Sequence, residues 1–332
     1  MEKLKEARTN GAAATVAKHR KIQREQDARD TAHAKRGRKE AKAIQAGARE
    51  QPTKLPAQHL KKPGKEADLK LAPQYLAPDY KGSAKLEGMT AIVTGGDSGI
   101  GRAVAVLFAR EGADIGIVYL SEHGDAQKTK HLVEAEGRRC ILLAGDVKDS
   151  AFCKRAVQRV VRELGRLDIL VNNAAFQEHA ESLEDISDER LDETLRTNVY
   201  GYFYMARAAL PELKRGASII NTGSVVGLEG SGHLLDYATT KGAIHAFTKS
   251  LALNLAAKGI RVNAVAPGPV WTPLNPADRQ GQDVAKFGQK TDMKRAAHPE
   301  ELSPAYVFLA SPVCAGYITG IVLPVTGSVG AI

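Results

Sequence analysis

From Met89 onward the apolar residues fall into short β-branched runs separated by longer stretches of helical periodicity. The runs MTAIVT (89–94), DIGIVY (114–119), CILLAGDV (140–147), DILVNN (168–173), ASIINTG (217–223), IRVNAVAP (260–267) and YITGIVLPV (317–325) read as strands. Several are apolar at nearly every position, as strands are when both faces of their sheet are covered. Helices are expected near 100–111, 124–136, 149–164, 187–213 and 235–258. Such alternation implies right-handed βαβ units. The expected fold class is therefore α/β, one domain over 89–332 built on a doubly wound parallel sheet.

The pattern before Met89 differs. Residues 1–50 are rich in Ala, Lys, Arg, Glu and Gln, with few large apolar residues (Leu4, Val16, Ile22, Ile44). Helix propensity is high but little can be buried, which predicts a solvated helix or disorder. Residues 51–88 carry Pro52, Pro56, Pro63, Pro73 and Pro78 with Tyr75 and Tyr80, the pattern of an extended arm lying on a surface.

Charge sharpens this division. The net charge of +9 suggests an anionic partner, yet residues 1–88 hold 21 Lys and Arg against 11 Asp and Glu. The basicity belongs to the leading segment and not to the body. A nucleic acid or an anionic surface is thus a candidate partner for residues 1–50 alone. Their interspersed acids and lack of aromatic residues favour a solvated helix, so nucleic-acid binding is not expected. Cys140, Cys153 and Cys314 have no paired spacing, and the His residues form no ligand cluster. Neither a disulfide framework nor a metal is expected, and a reducing cytoplasm fits. No apolar run reaches the roughly 20 residues needed to span a bilayer, and neither a signal nor a transit peptide is expected.

TGGDSGIG (94–101) follows the first strand and opens a helix. Gly95 permits the tight turn, Gly99 lets a pyrophosphate approach the backbone, and Gly101 lets helix and sheet pack closely. The unpaired N–H groups and positive dipole of the helix start favour phosphates. A plain structural turn is the alternative, and no Gly-Lys-Ser/Thr of a kinase-type loop follows. The second strand ends at Tyr119, where an acid would hold the ribose of NAD. Arg102 stands where it could reach a 2′-phosphate, although neither Leu120 nor Ser121 is basic. The cofactor reading is NAD(P), leaning slightly to NADP. Asp146, ending the third strand, could accept from an adenine amino group or merely cap the next helix. Asn172–Ala175 (NNAA) ends the fourth, at the carboxyl rim where open α/β sheets bind ligands.

Ser224 follows the fifth strand. Tyr237 and Lys241, four residues apart, share a helix face. Asn198 lies within a predicted helix, where Asn is a poor former. Singly, each has an ordinary structural reading; together, in this order on this fold, they point to proton chemistry. TGGDSGIG, GDV, NNAA, the Asn of TNVYG, Ser224, YATTK and PGPVWT (267–272) together resemble the short-chain dehydrogenase/reductases over roughly 89–330. The segments KKPG, YKGSAKLEG, LLDYATTKGAI and APGPVWTPL are similar to a bacterial general-stress-type subgroup with an N-terminal arm.

The resemblance implies a Rossmann fold and a nicotinamide-dependent oxidoreductase interconverting an alcohol and a carbonyl. Tyr237 would be the general acid/base, and Ser224 would orient the substrate oxygen. Lys241, together with the positive nicotinamide of the oxidised cofactor, would lower the Tyr237 pKa by about three units, roughly 4 kcal/mol, and Lys241 would hold the nicotinamide ribose. Asn198 would hold a relaying water. The cofactor would lie along Thr94, Gly95, Asp97, Ser98, Gly99, Ile100, Gly101 and Arg102, then Tyr119, Asp146 and Val147. It would continue past Asn173, Ala174 and Ala175 to Pro267, Gly268, Val270 and Thr272. A homotetramer is implied, with the arm on a neighbouring subunit, and residues 272–298 are expected to form a lid. An epimerase or dehydratase on the same fold is the remaining enzymatic alternative. The last strand ends in VTGSVGAI instead of the family's Asp-Gly-Gly, which touches C-terminal packing and not the proton chemistry.

Overall fold

The computed structural model describes residues 20–21, 23–25, 28–29 and 42–329. The chain divides into two units, Met1–Lys42 and Ala43–Ile332. Most of the segment expected to be a solvated helix or disordered therefore lies outside the described residues. Those described between 20 and 29 are helical and exposed.

In the second unit, seven parallel strands are ordered β3-β2-β1-β4-β5-β6-β7: β1 Thr90–Thr94, β2 Asp114–Tyr119, β3 Cys140–Ala144, β4 Ile169–Asn172, β5 Ser218–Thr222, β6 Arg261–Pro267 and β7 Val322–Val325. The central strands β1, β2, β4, β5 and β6 are buried at every residue, as their unbroken apolar runs require. The helices used below are α1 Gly99–Arg110, α2 His123–Ala135, α3 Ser150–Leu164, α4 Asp188–Leu195, α5 Gly201–Ala209, α6 Val226–Glu229, α7 Leu235–Leu255, α8 Gly281–Ala285 and α9 Pro299–Ala310. One core cluster joins α1 and α9 to the sheet, and a second joins α3 and α5. The predicted helix 187–213 is interrupted by a π-helical turn, Arg196–Tyr200.

Residues 43–88 wrap the same chain. Leu55, Leu60 and Leu69 are buried in a third cluster with Trp271 and with Ala277 and Val284 of the predicted lid. The Trp271 indole donates to Leu71 O at 2.9 Å, and Arg49 and Gln51 reach the buried Glu300. The apolar side chains of the arm that enter this cluster are thus covered by their own chain.

Candidate active site

β1 and β4 are neighbours although chain order leads from β1 to β2, so the sheet reverses its winding between them. Ligands of open α/β sheets bind at such a point, outside the carboxyl ends of the strands. A cavity of about 410 Å³ opens there. It spans from Tyr119 and Asp146, beyond β2 and β3, to Tyr237 and Lys241 at the start of α7.

The β1–α1 turn lines the cavity with Gly95, Asp97, Ser98, Gly99 and Ile100. Gly99 is left-handed, with φ 50°. A Cβ on Gly101 would overlap the Gly95 carbonyl oxygen, so only glycine lets α1 fold back on its own turn. Thr94 Oγ1 accepts from the N–H groups of Asn173 (2.8 Å) and Ala174 (3.0 Å). The Asn173 amide donates to the carbonyls of Thr94 (3.1 Å) and Gly95 (3.2 Å). These bonds lock β1 to β4. Ile100 sits in the first helical turn, where N–H groups lack intrahelical acceptors. A left-handed glycine turn, a helix start and a cavity crossing the switch point fit a dinucleotide.

Two residues of this half do not sit as expected. Arg102 does not reach the cavity. It is fully buried, pairs with Glu66 of the arm and with Asp125 at 3.6 Å, and donates to Thr129 Oγ1 at 2.9 Å and to Asp97 O at 2.6 Å. A guanidinium so occupied cannot clamp a 2′-phosphate. Asp146 lines the cavity but also serves as a local turn cap, accepting from Lys148 N at 2.8 Å. Tyr119 is buried, with its hydroxyl 2.9 Å from His123 Nδ1. Burial raises the Asp97 carboxyl to about 6, and Val147 and Ala175 line the wall nearby.

Beyond β5, Ser224, Tyr237 and Lys241 line one cavity. The Lys241 ammonium lies 5.4 Å from the Tyr237 ring centre. It donates to Thr222 O at 2.8 Å and to Tyr202 Oη at 3.2 Å. Burial dominates both titrations: it raises the Tyr237 phenol, only partly offset by the Ser224 hydroxyl, and lowers Lys241 to about 7. In the protein alone the phenol is therefore raised; the expected depression called on the oxidised nicotinamide as well as the lysine. In a site this dry, desolvation outweighs a cation that is not bonded to the phenol oxygen.

Asn198 does not line the cavity. It is buried in the π-turn, accepts from Phe176 N at 2.7 Å, and donates to Phe176 O at 2.9 Å and Thr240 Oγ1 at 3.1 Å. It fixes the loop after β4 to α7. Pro267, Gly268, Val270 and Thr272 line the cavity beyond β6. The Asn275 amide ties Val270 O at 2.7 Å to Thr272 Oγ1 at 3.3 Å.

Several residues escaped the sequence reading. Tyr202 follows Asn198, and His245 follows Lys241, by four positions, so helical spacing could have found them. His245 Nε2 accepts from Ser224 N at 3.4 Å. Burial, then Lys241, push that imidazole down to about 4, keeping it neutral. Asp278 of the lid accepts from Gln177 Nε2 (2.5 Å) and His179 N (2.7 Å), and lies 2.5 Å from His179 Nδ1. Burial alone would raise its carboxyl, but these bonds hold it below the usual range. Pro63 and Gly64 of the arm line the cavity, and Glu66 accepts from Gly99 N at 2.7 Å. No local sequence signal announces contacts across that separation.

A family profile described as enoyl-(acyl carrier protein) reductase matches residues 95–329. General stress protein 39 of Bacillus subtilis (strain 168) is 52% identical over 277 residues, 83% of this chain and 96% of its own length. A short chain dehydrogenase from Burkholderia cenocepacia J2315, solved in complex with NADP, is 35% identical with a TM-score of 0.69, covering 74% of this chain and 98% of that one. One from Mycobacterium paratuberculosis, bound to NAD, is 31% identical with a TM-score of 0.66, covering 74% and 98%. Among the described residues no metal-ligand cluster occurs, and no helix is long and apolar enough to cross a membrane.

Proposed function

The chain belongs to the short-chain dehydrogenase/reductase family of NAD(P)-dependent oxidoreductases, and on that premise we propose that Tyr237 is its general acid and base. The reaction interconverts an alcohol and a carbonyl. The nicotinamide group, when bound, supplies or accepts the hydride. In reduction the Tyr237 hydroxyl gives its proton to the carbonyl oxygen; in oxidation it takes one back. Ser224 Oγ donates to the same oxygen and holds it against Tyr237. Lys241, fixed by Thr222 O and Tyr202, places a positive charge beneath the phenol and holds the nicotinamide ribose. Asn198 acts through Phe176 and Thr240 as a positioning residue.

The glycine turn from Thr94 to Gly101 would hold the pyrophosphate, and Tyr119, Asp146 and Val147 the adenosine. Asn173, Ala174 and Ala175 would lie along the middle, with Pro267, Gly268, Val270 and Thr272 at the nicotinamide. Burial holds the phenol of the chain alone in its protonated, proton-donating form. With Arg102 occupied, what is left of the basis for leaning to NADP is the missing acid at Tyr119. Asp97, Glu122 and Asp146 line the adenosine end, and Lys148, the cation there, is engaged by Glu193 at 2.6 Å. We read this lining as favouring NAD over NADP, since a 2′-phosphate would meet acids. Kinetics with both cofactors decide it.

The observation that carries the reading is the meeting of Ser224, Tyr237 and Lys241 in one cavity with the glycine turn. Tyr237→Phe is expected to cut turnover about 10²- to 10⁴-fold while leaving cofactor affinity, measured by NADH fluorescence, nearly intact. Near-wild-type turnover in that variant would remove Tyr237 from the mechanism. A homotetramer in the cytoplasm is the accompanying proposal. The exposed Tyr200, Phe203 and Leu253 on and beside α5 and α7 support an oligomeric contact, checked by light scattering.

A further inference from the structure

Arg279 lines the cavity from the lid segment, yet its side chain forms no hydrogen bond or ion pair among the described residues. The Nε atom is buried without a partner. Its backbone is held: Arg279 N donates to Asn275 O at 2.9 Å, and Arg279 O lies 2.8 Å from His59 Nδ1 of the arm. The guanidinium carbon sits 5.3 Å from the centre of the Phe287 ring, which braces it. Of the two nearby acids, Asp278 is spent on Gln177 and His179, and Asp283 forms no ion pair with Arg279.

The other cations on the cavity wall have acceptors: Lys148 binds Glu193, and Lys241 binds Thr222 O. Shutting the Nε–H away from water without an acceptor is costly, and the planar fork matches a carboxylate or phosphate in two-point fashion. Burial lowers the Arg279 pKa, and the group still remains charged at neutral pH.

We propose that Arg279 is an anion-binding residue of the cavity, holding a carboxylate or phosphate oxyanion of a ligand. The oxyanion belongs either to the substrate or to the cofactor's diphosphate. This rests on the oxidoreductase reading only for the substrate arm of its test.

With NADH, wild type, Arg279→Gln and Arg279→Lys are compared on 4-carboxybenzaldehyde and benzaldehyde. If the substrate bears the anion, the ratio of kcat/KM for the carboxylated over the neutral aldehyde falls about 10- to 100-fold in Arg279→Gln, and Arg279→Lys recovers part of it. If the cofactor bears it, the ratio holds while the NADH Kd, read by fluorescence, weakens by a similar factor. Both results uphold the anion site and tell the sources apart. Unchanged ratio and unchanged NADH Kd overturn it. If the wild type reduces neither aldehyde, calorimetric titration of benzoate and inorganic pyrophosphate decides. Binding lost in Arg279→Gln upholds the site while leaving the reaction in question, and binding equal in both proteins overturns it.

Discussion

The two halves of the cavity are built from different materials. The nucleotide half is mostly main chain: a glycine turn, a helix start, and strands stapled by Thr94 and Asn173. The catalytic half is mostly side chain: Ser224, Tyr237 and Lys241 on the wall, with Asp278, His179, Lys62 and Trp271 holding arm and lid together. Lys62 Nζ donates to Gln177 O at 2.6 Å and pairs with Glu178 at 3.1 Å. A main-chain site tolerates side-chain change but not added volume. A side-chain site behaves in the opposite way, since each role rests on one functional group.

Gly101→Val tests this contrast most severely. The new branch meets backbone atoms that cannot yield, so loss of measurable NADH binding and a fall in melting temperature of many degrees are expected. Retained NADH binding would show that the turn can open. Lys241→Met comes next. Turnover should fall about 10²- to 10⁴-fold, since the positive charge under the phenol is gone. The same change should alter stability against pH. Free lysine titrates near 10.5 but Lys241 near 7, so between these values the unfolded chain binds the extra proton. Wild-type stability from this group therefore rises with pH across that window, by roughly 1 kcal/mol per pH unit, and is least below pH 7. Lys241→Met should lack that rise and melt higher at pH 7, which thermal scans at pH 7, 8 and 9 would show. Asp278→Asn should have the smallest effect. One oxygen still accepts, so an increase in KM of about three- to tenfold with little loss of kcat is expected. Faster hydrogen exchange across 272–298 would accompany it, and unchanged exchange would show that the lid is held elsewhere.

Most of the sheet was legible in the sequence because buried parallel strands leave unbroken apolar runs. Strand ends were less so. The run 317–325 yields only Val322–Val325, since Gly320 N turns back to Val262 O at 2.7 Å and Thr319 Oγ1 accepts from Val262 N at 3.0 Å. Helix α9 was missed because Pro304 lies inside it. Pro304 has no N–H to offer Glu300 O, and the Ser303 hydroxyl approaches that carbonyl at 3.4 Å. Within the site, residues carried by local spacing were found: the glycine turn, Ser224, Tyr237 and Lys241. Arg102 was misread because its partners, Glu66 and Asp125, lie 36 and 23 residues away. Arg279 gave no signal at all, since an arginine without a partner looks like any surface arginine until its neighbours are placed.

The seating of Glu66 has a consequence for how ligands come and go. Pro63 and Gly64 form one lip of the cavity, while two residues on a carboxylate is bonded to the first amide of α1. The hinge and the fastener of that lip are thus the same short stretch of chain. Residence time and thermal endurance are expected to be coupled there: a substitution that loosens the stretch should speed exchange and weaken the grip on α1, and one that tightens it should slow exchange and strengthen that grip.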